Sequence, residues 1–500
     1  MLLAFSNCFK IPELRQRILF TLAMIVIIRI GAAIPCPGVN AAVLGEFFKT
    51  VIDRQQQGSV IGLFNLFGGG ALENCAIFSL GIMPYISASI MMQLVTAVVP
   101  SMGKMAREEG GRQKITQYTR VMTIALCLFQ GYLFARGFET PAKIPLLQGI
   151  GDIEARIGRL VPDPGLIFEM VTVISLTTGT MLLMWLGEQI TDKGIGNGIS
   201  MVITVGIVAR IPAALVQGFQ KLVPPAGSGV EPANPLMLVA MLAFLFAVIA
   251  GTIAVTQAMR KIPIQYAKQV RGNKVYGGQS SFLPLKVNYA GVMPIIFAQS
   301  LLLFPPMVLG FLFHDAPWAH SFTNSMNEGS LYYFLYGGMI LFFSYFWVAT
   351  QFNPVQIADD LKKHGGFIPG VRPGQPTSEF LDFSMTRLTL AGAVFLTILA
   401  VLPMMLRRSF GIPYMTAQFF GGTSLLIMVG VMLDTMRQTE TYLLQRHYDG
   451  FLKKGRLRGR SSTGVGAQGQ TMDESGLVWL YVGIAIIVIA GATLSLLKSY

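Results

Sequence analysis

The sequence predicts an all-α polytopic membrane protein, and three observations carry that expectation. Apolar runs of about 20 residues, long enough to cross hydrocarbon as helices, recur along the whole chain. Apolar residues make up 53% of the 500 positions and charged residues only 13%, too few charges to cover a soluble fold of this length. The lysines and arginines also gather in alternate connections between the runs, as topology-setting charges do.

In order, the runs fall near 18–35, 76–99, 118–136, 166–187, 198–217, 236–257, 289–312, 331–350, 388–406, 413–435 and 477–497. The first is preceded by MLLAFSNCFKIPELRQR, whose charges abut the run, so it reads as an anchor that is retained. With a cytoplasmic N-terminus and alternating spans, the cytoplasmic segments hold 25 Lys and Arg against 11 on the other side. Within the net charge of +13, that asymmetry places a basic surface where a ribosome, nucleic acid or anionic headgroups would meet it. Cys8, Cys36, Cys75 and Cys127 show no CxxC spacing and read as isolated thiols.

The first ten spans divide into two sets of five. An odd number gives halves of opposite topology, an arrangement that places a pathway at their interface. The expected organisation is an N-terminal half over 1–217 and a C-terminal half over 218–454. A flexible Gly- and Ser-rich linker over 455–476 then leads to an eleventh, C-terminal transmembrane helix over 477–500. Trp479 and Tyr481 at one end of that last run, and Lys498 and Tyr500 at the other, suit interfacial anchors. Three segments do not span. GSVIGLFNLFGGGALENC (58–75) is apolar but Gly-rich and short, and reads as a small helix lying against protein. Residues 258–288 carry six basic side chains, and 351–387 contain KKHGGFIPGVRPGQPTSEF, where Pro and Gly forbid a continuous helix.

Seven blocks in order resemble the SecY family, over about residues 10–455. They are RILFTLAMIVIIRIGAAIPCPGVN, FNLFGGGALENCAIFSLGIMPYISASIMMQL, GEQITDKGIGNGIS, QSSFLPLKVNYAGVMPIIFA, FNPVQIADDLKKHGGFIPGVRPG, MTRLTLAGA and FGGTSLLIMVGVMLD. The resemblance implies a ten-helix channel of two inverted five-helix halves, constricted by aliphatic side chains and filled by a plug. Such a channel passes unfolded preproteins across a bacterial plasma membrane and releases signal sequences and membrane helices sideways into the lipid bilayer. It implies SecE-like and SecG-like small subunits, a SecA motor ATPase and the ribosome as partners, and no cofactor.

Carried residue by residue, the resemblance maps the pore ring onto Ile82, Ile86, Ile199, Ile203, Ile296 and Ile427. Isoleucine is stiff at χ1 and offers no hydrogen bond, so a narrow ring of it would hold water out without gripping a sliding chain. The plug maps onto about 59–73, including Phe64, Asn65, Phe67, Gly68, Gly69 and Gly70, and its glycines read as an easily displaced helix end. Arg372, between Pro/Gly turns, is expected to meet the motor or the ribosome, with Lys268, Arg271 and Lys274 on the neighbouring loop. Gln93, Gln130 and Gln299 lie on helices flanking the family's lateral gate, where weak hydrogen bonds across the closed gate or ordinary helix packing both fit. Arg29 reads as a snorkelling anchor.

No GxxxxGK[ST], HExxH or GxSxG motif occurs, and acidic residues are nearly missing from span centres. The chain is expected to be no enzyme and to supply a path, with the driving force coming from a partner. The alternative, a secondary transporter of small solutes with inverted repeats, needs midplane ligands on broken helices that the sequence does not show.

Overall fold

A computed structural model describes residues 11–53, 68–108, 110–141, 150–222, 235–266, 269–271, 274–276, 280–312, 318, 322, 330–410, 417 and 422–454. The chain runs as α1 (Pro12–Gly31), α2 (Ala41–Asp53), α3 (Met83–Val98), α4 (Pro100–Arg107), α5 (Gly111–Glu139), α6 (Ile150–Ile157), α7 (Leu166–Lys193), α8 (Gly198–Leu222) and α9 (Pro235–Gln257). Four strands follow: β1 (Met259–Tyr266), β2 (Gln269–Arg271), β3 (Lys274–Tyr276) and β4 (Ser280–Lys286). The remainder is α10 (Met293–Leu312), α11 (Ser330–Gln351), α12 (Pro354–Lys363), β5 (Gly366–Phe367), α13 (Gln375–Phe410) and α14 (Thr423–Lys454).

Each of the first ten expected spans meets a helix. Among the described residues five stretches are long and apolar enough to cross a membrane unaided, and a sixth counts if the bent pair α3–α4 is one span. Helix ends depart from the hydropathy pattern for local reasons. The second span begins as a helix at Met83, not at 76, because 68–82 is a chain of turns. It stops at Val99, whose extended backbone is what a following proline imposes, and Pro100 opens α4 after a 107° bend. The ninth helix begins at Gln375, well before the apolar run at 388, since its first turns are polar but free of helix breakers after Pro376. Asn197 caps α8 by accepting from the amides of Ile199 (3.1 Å) and Ser200 (3.2 Å). The expected eleventh helix and its linker lie outside the described residues.

The segment 258–288 holds the main departure from an all-α reading. β1 and β4 pair antiparallel from Met259↔Lys286 to Gln265↔Ser280, and β5 joins the other edge of β1, giving the order β4-β1-β5. The alternation in β1 buries Ile262 and Ile264 while Lys261 and Pro263 face out. Basic and proline residues in that run mask the alternation in the sequence. These strands rest on a second core of Ile262, Leu285, Val348, Phe352, Ile368, Leu381 and Met385, which fastens them to α11 and α13.

The main core joins residues from every part of the helical body, from Ile28 on α1 through Leu176 on α7 and Ile340 on α11 to Val431 on α14. Large apolar side chains point outward as well, such as Val26 and Ile30 on α1 and Ile167, Met170 and Ile174 on α7. Such faces suit contact with lipid tails, where helices associate through close packing and polar contacts and not through water exclusion. Two arginines tie α5 to α7 near its two ends: Arg120 donates to both carboxylate oxygens of Glu188 (3.2 and 2.8 Å), and Arg136 lies 3.0 Å from Glu169.

Fully buried Leu381 sits under the ribbon. Leu381→Ala should cost about 2–5 kcal/mol of local stability through the cavity left behind. Hydrogen exchange would show it as faster exchange of the β1 and β4 amides with α5 and α7 unchanged; protection of β1 equal to wild type would contradict this packing.

Candidate pore and loop surface

The six isoleucines expected to form a ring come from α3 and its N-cap, α8, α10 and α14, and all six belong to or pack against one extended apolar core. Ile82, Ile86, Ile203, Ile296 and Ile427 belong to the main core, each 6% exposed or less, and partly buried Ile199 packs against it. Ile82 is the N-cap of α3 and not an interior residue, yet its carbonyl accepts from the Ile86 amide (3.1 Å), so the pair still shares the first turn. Ile199 and Ile203 lie one turn apart on α8, Ile296 is in the first turn of α10, and Ile427 is in the first turns of α14.

Beside this core lies the turn segment 68–82, whose first residues, 68–73, are the described part of the expected plug (about 59–73). Gly68 and Gly81 line a cleft together with Arg29, Ile82, Val202 and Gly206. Phe64, Asn65 and Phe67 lie outside the described residues. The Gly68–Gly70 run was expected to weaken a helix end. Gly69 and Gly70 instead take left-handed backbone at φ +61° and +90°, in turns, and sit hard against neighbours. A Cβ on Gly69 would lie 2.7 Å from the Cα of Gly206, and one on Gly70 2.7 Å from a guanidinium nitrogen of Arg210. Behind the turns, the chain is strapped to the end of α1. The Cys36 amide donates to the Cys75 carbonyl (2.7 Å) and the Ile77 amide to the Ile34 carbonyl (3.0 Å), so Pro35 and Ala76 form a bridge. Cys36 and Cys75, far apart in sequence, thus face one another as buried free thiols, and burial pushes both up from the ordinary thiol range.

Arg29 corrects the snorkelling reading. Its Nη1 turns toward the plug segment and donates to the Gly69 carbonyl (3.0 Å). Arg210, which sequence reasoning passed over, donates through Nη2 to Glu73 Oε2 at 2.6 Å. A signal for both was present: an arginine within each of two apolar runs, and a carboxylate just after the glycine run.

The glutamines do not bond to each other. Half-buried Gln93 donates to Ser89 of its own helix (3.2 Å), while the buried side-chain oxygens of Gln130 and Gln299 have no hydrogen-bond partner. At the ribbon end of the bundle, Arg372 is exposed on a tight loop between Gly370 (φ +83°) and Gly374 (φ +102°). Its carbonyl accepts from the Thr377 hydroxyl (2.8 Å), which fixes the loop against the start of α13. The β1–β5 pairing joins this loop to the ribbon. Arg271 and Lys274 are cross-strand partners at the turn of the β2–β3 hairpin; Lys268 lies outside the described residues.

Near the same end, the turn between α7 and α8 is knit to both halves. Arg17 donates to the Gly194 carbonyl (3.3 Å) and stacks 5.1 Å from the Tyr442 ring, while the Gly196 amide donates to Gln438 on α14 (2.9 Å).

This architecture is that of a polytopic helical membrane protein whose helices share one apolar core, with a turn segment packed beside it and a structured loop surface at one end. The SecY family's sequence profile matches residues 76–436. The chain is 42% identical over 465 residues to the protein translocase subunit SecY of Chlamydia trachomatis, covering 90% of this chain and 98% of that one. It is 44% identical over 451 residues to the protein translocase subunit SecY of Escherichia coli, covering 89% and 96%. In fold it is similar to a solved SecY protein described for a plug domain that stabilises the closed state and maintains a membrane seal, with TM-score 0.55, 17% identity and coverage of 91% and 99%. It is also similar to Sec61 in the canine ribosome-channel complex, with TM-score 0.52, 16% identity and coverage of 91% and 99%. The chain belongs to the SecY family.

Proposed function

We propose that this chain is the pore-forming subunit of a protein-conducting channel, which moves unfolded polypeptides across a membrane and releases apolar helices sideways into the bilayer. The single observation that carries the reading is one apolar core drawn from both halves of the chain, which holds Ile82, Ile86, Ile203, Ile296 and Ile427 with Ile199 packed against it, beside a cleft lined by Gly68, Gly81 and Ile82. A constriction of branched aliphatic side chains excludes ions by dewetting and offers a passing chain nothing to bind. The small-solute transporter, the alternative, gains no support from the fold or from these relatives.

The finer reading follows the loop surface. Arg372 contacts a SecA motor or a ribosome, because a guanidinium held at a Gly-bounded loop tip suits bidentate capture of carboxylate or phosphate. Arg271, Lys274 and Lys268, on the neighbouring loop in the sequence, add basic charge for the same partner. SecE-like and SecG-like subunits complete the complex, with the N-terminus cytoplasmic in a bacterial plasma membrane, as the 25-to-11 basic asymmetry favours.

Replacing Ile86 and Ile203 together with glycine should raise ion conductance of the resting channel in planar bilayers. Wild-type conductance from folded protein would remove these residues from the seal. Arg372→Glu should abolish most SecA-driven translocation into proteoliposomes while leaving thermal stability within about 0.5 kcal/mol, since the side chain is exposed. Translocation at the wild-type rate would defeat that assignment.

A further inference from the structure

The residues gripping the plug segment carry charge, and their arrangement goes beyond a passive stopper. Arg210 on α8 pairs with Glu73 at 2.6 Å, the two side chains being only 11% and 23% exposed. Its guanidinium also lies across Gly70, whose hypothetical Cβ would stand 2.7, 3.0 and 3.1 Å from Nη2, Cζ and Nε. From the other side, Arg29 on α1 donates to the Gly69 carbonyl at 3.0 Å, and its Nη1 lies where a Gly69 Cβ would make contact at 2.8 Å. The plug backbone at Gly69–Gly70 is therefore held between two guanidinium groups from different spans, and only glycine leaves room for both. The two arginines also repel each other across this gap. The Glu73 carboxylate and the Gly69 carbonyl, both contributed by the plug segment, supply the compensating negative charge and dipole.

We propose that Arg210 and Arg29 form an electrostatic latch on the plug segment, with Glu73 as its countercharge, so that opening the channel must break an ion pair. The inference rests on the channel reading above. It gives the resting closure a charge component besides the apolar seal: with the plug seated, the two cations are compensated; with it displaced, they face each other without Glu73. Such an arrangement is two-state. A partly buried pair loses much when one partner is removed, because the remaining charge is left without its match. Water entering the vacated funnel would solvate both arginines, so displacement has a finite cost and the plug can be released by a passing chain. Arg29 and Arg210 act here as positioning residues, through the plug and not on the polypeptide substrate.

The test is resting conductance of the purified chain with its partner subunits in planar bilayers, with thermal stability measured alongside. Glu73→Gln, nearly isosteric, and Arg210→Gln should each raise resting conductance roughly tenfold, the population shift expected when such a pair no longer favours the closed state. The exchange Glu73→Arg with Arg210→Glu should bring conductance back toward wild type, which packing alone would not do because both side chains then differ in size and shape. A wild-type resting conductance for Glu73→Gln overturns the latch, as does an exchange variant that leaks as much as both single variants. Should Arg210→Gln lose stability, Glu73→Gln and the exchange variant decide the matter. The Ile86→Gly, Ile203→Gly channel run in parallel separates the two readings. If it conducts while Glu73→Gln stays closed, the latch alone fails; if neither conducts, the pore assignment beneath it fails too.

Discussion

A path through a bilayer that accepts chains of any sequence has to be closed at rest by groups that exclude water yet bind nothing passing through, and that constraint organises this molecule. Hydrogen-bonding groups at the constriction would seal poorly and hold a moving chain, whereas aliphatic groups do neither. The six isoleucines expected to meet that need come from both halves of the body and share its apolar core. Polar contacts fix how several of the helices sit against one another. Asn197 starts α8 at the right place, the α7–α8 turn is hydrogen-bonded to α1 and α14, and Arg120–Glu188 and Arg136–Glu169 hold α5 beside α7. Polar contacts are placed where helices would otherwise have little reason to choose a partner, since lipid competes equally for apolar faces.

The two ends of the body are built differently. At the plug end, turns at 68–82 lie on glycine contacts and charge, with a short bridge to the end of α1 as their root. At the other end, an antiparallel ribbon and the Arg372 loop stand on a separate apolar cluster. The ribbon's anchors, Leu381 and Met385 on α13 and Val348 on α11, belong to long helices, so the loop surface is fastened directly to the helical body.

Hydropathy made the helical body legible, since bilayer thickness imposes run length directly. It failed at element ends, where turn chemistry and proline decide: the start of α3 at Met83, its stop before Pro100, and the early start of α13 at Gln375. The ribbon was hidden because its alternating residues sit among lysines, arginines and prolines that read as loop. The ring assignment rests on the family blocks alone, since an isoleucine pair one turn apart is ordinary in any apolar helix. Arg29 was misread for a related reason. Single residues in a span carry no sign of which way they face, and only the fold sets Arg29 and Arg210 against the Gly69–Gly70 turn.

The central claim is that a polypeptide passes through the isoleucine seam. A photo-crosslinking amino acid placed at Ile86, at Ile296, or at outward-facing Ile174 would report what a stalled secretory chain touches in the assembled complex. The account predicts strong crosslinks from Ile86 and Ile296 and little from Ile174. Crosslinks from Ile174 as strong as those from Ile86, or none from either seam position while the chain is demonstrably stalled across the membrane, would contradict it.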